Sequence, residues 1–166
     1  MTIVTLTAAP HGAGPGESAV IPAADTDTVV RVVDGDTVVL RTTGRSRLIG
    51  VDTPEVHGRR ECFGAQASQF TKRTLRPGLR VAVRRDVEAR DRYGRSLIYL
   101  TLPDGRSFNE LLVARGFAVA LAIAPNMHFA ERFRELAGRA RRAHVGLWSP
   151  STCAGRHGRP ELGYAP

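Results

Sequence analysis

Residues 47–55 of this chain read RLIGVDTPE, and residues 33–37, a short distance upstream, read VDGDT. The two segments combine several carboxylates with one arginine and two turn signals. A second arginine arrives later, in DRYGR at residues 91–95. Hydrolysis of a phosphodiester requires oxygen ligands for a hard divalent cation, a further carboxylate and fixed positive charge. These segments supply the groups that such a reaction needs.

The same segments belong to a series of predicted strands. The run before Asp34 is rich in β-branched side chains, and Asp34-Gly35 is a strong signal for a tight turn. Gly44 turns the chain again, and Pro54 breaks regular structure because it lacks an N–H and restricts the residue before it. Together with the period-two alternation of later segments, these signals predict five strands, at 28–33, 38–42, 46–51, 79–85 and 96–102.

Three helices are predicted where apolar side chains recur at intervals of three or four residues. Ser107 and Glu110 have the spacing of a capping box at the start of the second helix, and Asn126 is interpreted as the N-cap of the third. Trp148 is expected to pack back onto the body of the protein. This order favours an α+β, mainly β fold in which a small twisted sheet closes into a barrel. The helices cover 63–75, 108–114 and about 127–143.

Positive charge is the strongest bias of the composition, with a net charge of +8 and an isoelectric point of about 10.9. Residues 1–28 contain three acidic residues and no Lys or Arg, so the rest of the chain carries +11. Arginine, which binds phosphate through paired hydrogen bonds, dominates over lysine. A polyanionic partner such as nucleic acid explains this bias, and so does a coding bias with a solubilising surface. No apolar run approaches the roughly 20 residues that span a membrane.

Composition also divides the chain into parts. Residues 1–27 are rich in Ala, Gly, Pro, Ser and Thr and are predicted to be a flexible leader, either an export-signal remnant or a disordered arm. The predicted domain covers 28–149, and 150–166 form a C-terminal tail. Cys62 and Cys153 form either one disulfide, as is typical of an oxidising compartment, or two unrelated thiols. We expect a secreted or cell-surface protein, although no positively charged n-region marks a signal peptide.

The order of elements and the sequence motifs resemble the staphylococcal nuclease (thermonuclease) family. The resemblance extends over about 29–148. It implies a five-stranded barrel of the OB-fold type with three helices, and calcium-dependent hydrolysis of DNA and RNA. The blocks that carry it are 33–37, 47–55, 63–72, 91–95, 109–113 and 146–148.

The resemblance also implies a calcium site and a carboxylate that acts on water. Asp36 and Asp52 match the positions that bind the metal through carboxylates, and Thr53 matches the position that contributes its backbone oxygen. Asp34 resembles a carboxylate that acts on the metal through water; alternatively, it only shapes the hairpin turn. Glu55 matches the residue that orients or deprotonates the attacking water.

Arginines complete the implied site. Arg47 and Arg95 match the two guanidinium groups that stabilise charge on the phosphate in the transition state. Arg92 and Tyr93 resemble contacts to a neighbouring phosphate, although Tyr93 is equally well explained as a packing residue of the turn. None of the five histidines has ligand spacing, and none is assigned a role.

One segment departs from the family pattern. The family's type member has two tyrosines and a Lys-Pro near the bound nucleotide, whereas residues 120–125 read ALAIAP and are one residue shorter. Base stacking contributes roughly 1–3 kcal/mol per base. We therefore expect weaker nucleotide binding or an altered base preference, with the apolar run either packed in the core or forming a platform for a base.

These inferences favour a calcium-dependent, sugar-nonspecific endonuclease that leaves 3′-phosphate products. DNA and RNA are the expected partners, with single strands preferred because a shallow barrel face grips splayed strands, and a monomer is expected. The alternative is a catalytically weak, nucleic-acid-binding module of the same fold, which would bind without calcium-dependent cleavage. A structural domain stabilised by calcium is a further alternative, and it would show metal-dependent melting without turnover.

Overall fold

The computed structural model of the protein describes residues 24–57 and 60–156. Most of the predicted leader and the end of the predicted tail lie outside these residues, and the domain limits stay a prediction. The elements are β1 (Asp25–Val32), β2 (Thr37–Leu40), β3 (Gly44–Leu48), β4 (Gly50–Asp52), α1 (Gly64–Thr74), β5 (Arg80–Arg84), β6 (Ser96–Thr101), α2 (Phe108–Ala114), β7 (Val119–Leu121), α3 (Ala130–Arg142) and a 3-10 helix (Gly146–Trp148).

Five of the strands close into a barrel in the order β1-β2-β3-β6-β5. Neighbouring strands are antiparallel, except for β3 and β6, which are parallel. Alternate side chains point inwards and form a core of mainly branched aliphatic residues, which is joined by apolar side chains from α2 and α3. The structure confirms the predicted fold class, a mainly β protein with a five-stranded barrel and three helices.

The predicted strand over 46–51 is divided into two, because the chain bends at Ile49 and Gly50 between β3 and β4. Gly50 has a φ of 79°, and a Cβ there would come within 2.2 Å of the Phe133 ring. Only glycine accepts this conformation at so close a contact. The Asn109 amide donates to the Ile49 carbonyl at 2.9 Å and secures the bend. The next residues form β4, which pairs with β7 in a separate two-stranded sheet.

The first strand begins at Asp25, earlier than the predicted start at Thr28. Asp27 explains the difference, since its side chain is part of the barrel and it is only 5% exposed. Its carboxylate accepts hydrogen bonds from the backbone N–H groups of Thr42 and Thr43 at 3.0 and 2.7 Å, and from the Thr43 hydroxyl at 2.7 Å. These contacts tie β1 to the turn between β2 and β3.

The helix starts were predicted with mixed success. α2 has the expected cap, because the Ser107 hydroxyl oxygen accepts from the Glu110 N–H at 3.2 Å. The predicted N-cap of the third helix is wrong, because α3 begins at Ala130 and Asn126 lies in the turn before it. The Asn126 side chain instead accepts from the Glu88 N–H at 2.7 Å and donates to the Glu88 carbonyl at 2.9 Å. It joins two loops that are distant in sequence.

The C-terminal part of the described chain closes against the rest of the fold. Trp148 is 7% exposed and packs with Val119 and Ala140, which confirms its predicted position. Cys62 and Cys153 form a disulfide that joins the segment before α1 to the segment after the 3-10 helix. Within 24–57 and 60–156, no helix has the length and apolar character needed to cross a membrane.

Candidate active site

The side chains of the sequence motifs meet in one cavity of about 620 Å³. Its walls come from the turn after β1, the ends of β3 and β4, and the turn before β6. Carboxylates and guanidinium groups face the cavity together with a few apolar side chains. The predicted site residues that line it are Asp34, Asp36, Arg47, Asp52, Glu55, Arg92, Tyr93 and Arg95.

The turn after β1 holds Asp36 in a fixed position. Asp36 is 6% exposed, and its Oδ2 accepts from the N–H and the hydroxyl of Thr53 at 2.8 and 2.9 Å. The Thr71 hydroxyl of α1 donates to the Gly35 carbonyl at 2.7 Å and steadies the turn from behind. A Cβ on Gly35 would lie 2.5 Å from the Thr53 hydroxyl oxygen, so glycine is needed there. Thr53 thus contacts Asp36 through its N–H and its hydroxyl. That its backbone oxygen binds a metal stays a prediction.

Arg47 bridges two of the predicted metal ligands. Its Nη1 lies 3.0 Å from Asp36 Oδ2, and its Nη2 lies 2.8 Å from Asp52 Oδ1. The same guanidinium donates to the carbonyls of Val51 and Leu48 at 2.8 and 3.2 Å. Because β3 carries Arg47 and β4 carries Asp52, the bend between these strands is what brings the pair together.

The donor set of this cavity matches the chemistry of calcium. Asp34, Asp36 and Asp52 offer only oxygen atoms, which Ca²⁺ prefers. Burial, together with the nearby Asp36 carboxylate, raises the pKa of Asp34 above its ordinary value of 3.8, so a cation here would offset excess negative charge. No three His, Cys, Asp or Glu side chains of the described chain are grouped to hold a metal. For Asp36 and Asp52 to share a cation, Arg47 must give up at least one carboxylate contact.

Glu55 reaches the cavity from the irregular segment between β4 and α1. Glu61 clasps its backbone from both sides: the Glu55 N–H donates to Glu61 Oε2 at 3.0 Å, and the Glu61 N–H donates to the Glu55 carbonyl at 2.9 Å. Cys62 follows directly and is held by the disulfide. The segment is therefore fixed at the residue that presents its carboxylate to the cavity.

Asp91 organises the turn that presents Arg95. Its Oδ1 accepts from the N–H groups of Tyr93 and Arg95 at 2.9 and 3.0 Å, and its Oδ2 accepts from Arg95 Nε at 2.7 Å. Burial alone would raise the pKa of Asp91, but these hydrogen bonds lower it, so the carboxylate stays ionised beside Arg95.

Arg92 and Tyr93 form the outer edge of the same turn. Arg92 donates to the Tyr93 hydroxyl at 2.7 Å, and its guanidinium lies 4.8 Å from the centre of the Tyr93 ring. Tyr93 is 68% exposed, so it does not pack in the core. The contact keeps one aromatic face and one positive charge together at the mouth of the cavity.

The segment that departs from the family pattern forms the opposite, apolar wall. Leu121, Ile123 and Ala124 line the cavity, and Ile123 is 63% exposed. Asn126 secures the end of this segment through its two hydrogen bonds to Glu88, which also lines the cavity. The run is therefore not wholly part of the core, and it presents an apolar surface beside the charged groups.

Three residues that hold the cavity-lining side chains or loops in place have no role predicted from the sequence. Asp91 has a local signal, because an Asp that accepts hydrogen bonds from N–H groups a few residues later is a common turn device. Glu61 and Asn126 act on residues that no local pattern connects to them. Their roles follow only from the folded chain.

A closed barrel that gathers carboxylates and arginines into one cavity is the arrangement expected of a small phosphodiesterase. Sequence comparison agrees with this class: the model of the family described as "Staphylococcal nuclease homologue" matches residues 45–150. The chain belongs to this family.

Individual relatives support a nuclease function. The chain is 38% identical to a thermonuclease of Staphylococcus hyicus over 144 residues, 82% of this chain and 84% of that protein. It is 37% identical to a thermonuclease of Staphylococcus intermedius over 126 residues, 72% of this chain and 74% of that protein. It is also 33% identical to endonuclease YhcR of Bacillus subtilis over 135 residues, 73% of this chain but 11% of that protein.

Proposed function

We propose that this chain is a calcium-dependent, sugar-nonspecific nuclease that hydrolyses DNA and RNA and leaves 3′-phosphate products. One observation carries the proposal: Arg47 contacts the carboxylates of Asp36 and Asp52 within a cavity that Glu55 and Arg95 also line. Five charged groups converge there, four from residues 36–55 and one from the turn before β6. A structural role does not require this combination of charges.

Asp36 and Asp52 are the side chains that would hold calcium, with the Thr53 backbone oxygen as a further donor and Asp34 acting through water. Calcium, when bound, supplies positive charge that polarises the phosphoryl oxygen. With a cation held by these carboxylates, the Arg47 guanidinium would be available to a phosphate oxygen. The hydrogen bonds of Thr53 and Thr71 around the turn keep Asp36 preorganised.

Glu55 accepts a proton from the attacking water. The water oxygen bonds to phosphorus as the bond from phosphorus to the 5′-oxygen breaks, and the departing 5′-oxygen takes up a proton from solvent water. The other product keeps the phosphate on its 3′-oxygen. Arg47 and Arg95 stabilise the charge that builds on the non-bridging oxygens, and Asp91 holds Arg95 in place.

Substrate form follows from the walls of the cavity. Arg92 and Tyr93, at the mouth of the cavity, bind a neighbouring phosphate in this proposal, and the apolar surface of Leu121 and Ile123 binds a base. A base that packs on aliphatic side chains gains less binding free energy than a base that stacks on an aromatic ring, so affinity for a single nucleotide is expected to be weak. An open cavity of this kind favours single strands.

A disulfide is typical of an extracytoplasmic protein. We therefore infer that the protein is secreted or lies at the cell surface. We also propose that it acts as a monomer.

The test is the degradation of single-stranded DNA and RNA with calcium and with chelator, for wild type and Glu55→Gln. Removal of a general base lowers rates by 10²–10⁴-fold, so we expect a loss of at least about 100-fold. Glu131→Gln removes the same charge from the exposed side of α3, and it should cleave like wild type. A wild-type protein that binds single strands and never cleaves them with calcium contradicts the proposal, and it identifies the chain as the binding module.

A further inference from the structure

A row of arginines crosses the outer face of the barrel next to the cavity. In the strand register, Arg31 on β1 lies opposite Val39 on β2, and Val39 lies opposite Arg45 on β3. Residues opposite one another in a sheet share a face. Arg31 and Arg45 are both exposed, so the shared face is the outer one. We call Arg31 and Arg45 the arginine row.

The row leads directly to the groups of the candidate site. Arg45 and Arg47 are two residues apart on β3 and share a face, and Arg47 lines the cavity. The parallel pairing of Arg47 with Leu97, which also lines the cavity, continues this face onto β6. One continuous surface therefore runs from the middle of the cavity across β3 and β2 to β1.

The arginine row differs from the cavity arginines in its partners. Arg47 and Arg95 are each ion-paired with a carboxylate. The side chains of Arg31 and Arg45 have no ion pair or hydrogen bond within the residues that the structure describes. Two exposed guanidinium groups without a carboxylate partner in the described chain, on one face of the barrel, are available to bind an external polyanion.

The spacing suits an extended strand of nucleic acid. Neighbouring strands lie about 4.8 Å apart, and residues two apart on one strand are separated by about 6.6 Å. Arg31, Arg45 and Arg47 therefore lie at intervals of several ångströms along one path, each able to reach a different phosphate. Arginine binds phosphate bidentately, which favours it for this role.

We propose that the arginine row binds the phosphates of a single-stranded nucleic acid that lie beyond the bond being cut. The row makes the chain an enzyme for oligonucleotides and polymers, with little advantage for dinucleotide substrates. This inference rests on the proposed nuclease function. It adds a binding surface outside the cavity.

The test compares Arg31→Gln/Arg45→Gln with a charge-matched control. Arg142→Gln/Arg139→Gln removes the same two charges from exposed positions at the end of α3. For a single-stranded oligonucleotide of roughly 20 nucleotides, longer than the usual OB-fold site, the row variant should raise KM roughly tenfold, the effect of two exposed charge contacts. Its kcat, and its rate on a dinucleoside monophosphate with a single phosphate, should stay within about twofold of wild type.

Salt gives an independent readout of the same contacts. Loss of two phosphate contacts should reduce the slope of log affinity against log salt by about 1.4 for a single strand. The affinity is measured in chelator, without cleavage, by fluorescence anisotropy of the labelled oligonucleotide. Equal KM values and equal slopes for the row variant and the control overturn the inference. If wild type binds the oligonucleotide through the arginine row but cleaves nothing with calcium, the nuclease proposal fails, whereas the inference that the row binds single strands is kept.

Discussion

The site is built from two regions that are held in different ways. Asp36, Arg47 and Asp52 lie on or beside strands, and buried hydrogen bonds and ion pairs fix them to the barrel. Glu55 lies on an irregular segment, where the Glu61 clasp and the neighbouring disulfide hold its backbone. The strand region depends on the whole fold, whereas the segment around Glu55 depends on a few local ties.

This difference separates stability from activity. A change in the strand region removes support from the barrel and from the site at once. A change in the Glu61 clasp alters where one carboxylate lies and leaves the core packing untouched. Substitutions in the two regions test this separation, and a site built as one rigid body would contradict it.

The largest effect is expected for Asp36→Asn. The substitution keeps the shape but removes the charge that Arg47 contacts, in a group that is 6% exposed. Breaking a buried ion pair costs about 3–5 kcal/mol, and cleavage should fall by at least about 1,000-fold because the proposed metal-binding carboxylate and the position of Arg47 are lost together. Urea unfolding and cleavage rates measure the two effects.

Asp104→Asn is the matched control for that change. Asp104 pairs with Arg106 on an exposed turn away from the cavity, and its substitution should leave both the unfolding midpoint and the rate unchanged. An Asp36→Asn protein that keeps wild-type stability while losing activity would show that the strand region is not coupled to the fold.

The disulfide is expected to have the next largest effect. Cys62 and Cys153 are 91 residues apart, and closing a loop of that length stabilises by roughly 4 kcal/mol in the chain-entropy description. Cys62→Ser/Cys153→Ser should therefore lower the free energy of unfolding by about that amount. Because Cys62 follows Glu61, turnover per folded molecule should fall too, when measured well below the melting temperature. A reductant applied to wild type should reproduce both effects and leave the double variant unchanged.

Asp27 tests the barrel away from the site. Burial alone would raise its pKa, but hydrogen bonds from Thr43, from the Thr42 N–H and from the Thr28 N–H lower it from 3.8 to about 2. Because the folded-state pKa is depressed, the stabilisation is complete above pH 4 and is lost as the pH falls towards 2. The shift corresponds to about 2 kcal/mol.

Asp27→Asn should remove this pH dependence. Urea unfolding between pH 2 and pH 5, followed for wild type and the variant, measures the difference between the two stability curves. The free energy of unfolding of wild type should exceed that of the variant at pH 5, and this difference should disappear as the pH falls towards 2. Parallel curves for the two proteins would mean that the Asp27 hydrogen bonds do not stabilise the ionised form.

Local signals explain which parts of the fold were predictable. The barrel strands and the Ser107 cap follow from alternation, turn residues and spacing that act within a few positions. β4 and β7 have three residues each. The chain leaves the barrel before β4 because Gly50, without a Cβ, leaves room for the Phe133 ring and because the Asn109 amide donates to the Ile49 carbonyl at the bend. Asn126 looks like a helix cap by its local position, yet its partner Glu88 is 38 residues away.

The same distinction applies to the candidate site. The motif carboxylates and arginines converge in one cavity, as the sequence predicts, because strand ends carry most of them. The bridge from Arg47 to both Asp36 and Asp52 depends on the bend after β3. The sequence pattern predicts a continuous strand at this position. The clasp by Glu61 is a contact between residues of one irregular segment, where no periodicity indicates which side chain turns back.

The smallest effect is expected for Glu61→Gln, and it separates the two regions most directly. Gln keeps an acceptor for the Glu55 N–H but loses the charge, and charge-assisted hydrogen bonds are about twice as strong as neutral ones. Activity should fall roughly tenfold, because a small displacement of a catalytic group has a large effect on rate. The free energy of unfolding should change by less than about 0.5 kcal/mol, because Glu61 is only half-buried and lies outside the core.

Glu61→Ala sharpens this last test, since it removes the acceptor as well. It should lower kcat further than Glu61→Gln while KM stays close to that of wild type, because the clasp positions Glu55 and does not contact the substrate. Its effect should vanish in a Glu55→Gln background, where there is no general base left to position. Additive losses in the double variant would place Glu61 in a separate role, and a parallel fall in stability would make it an ordinary structural residue.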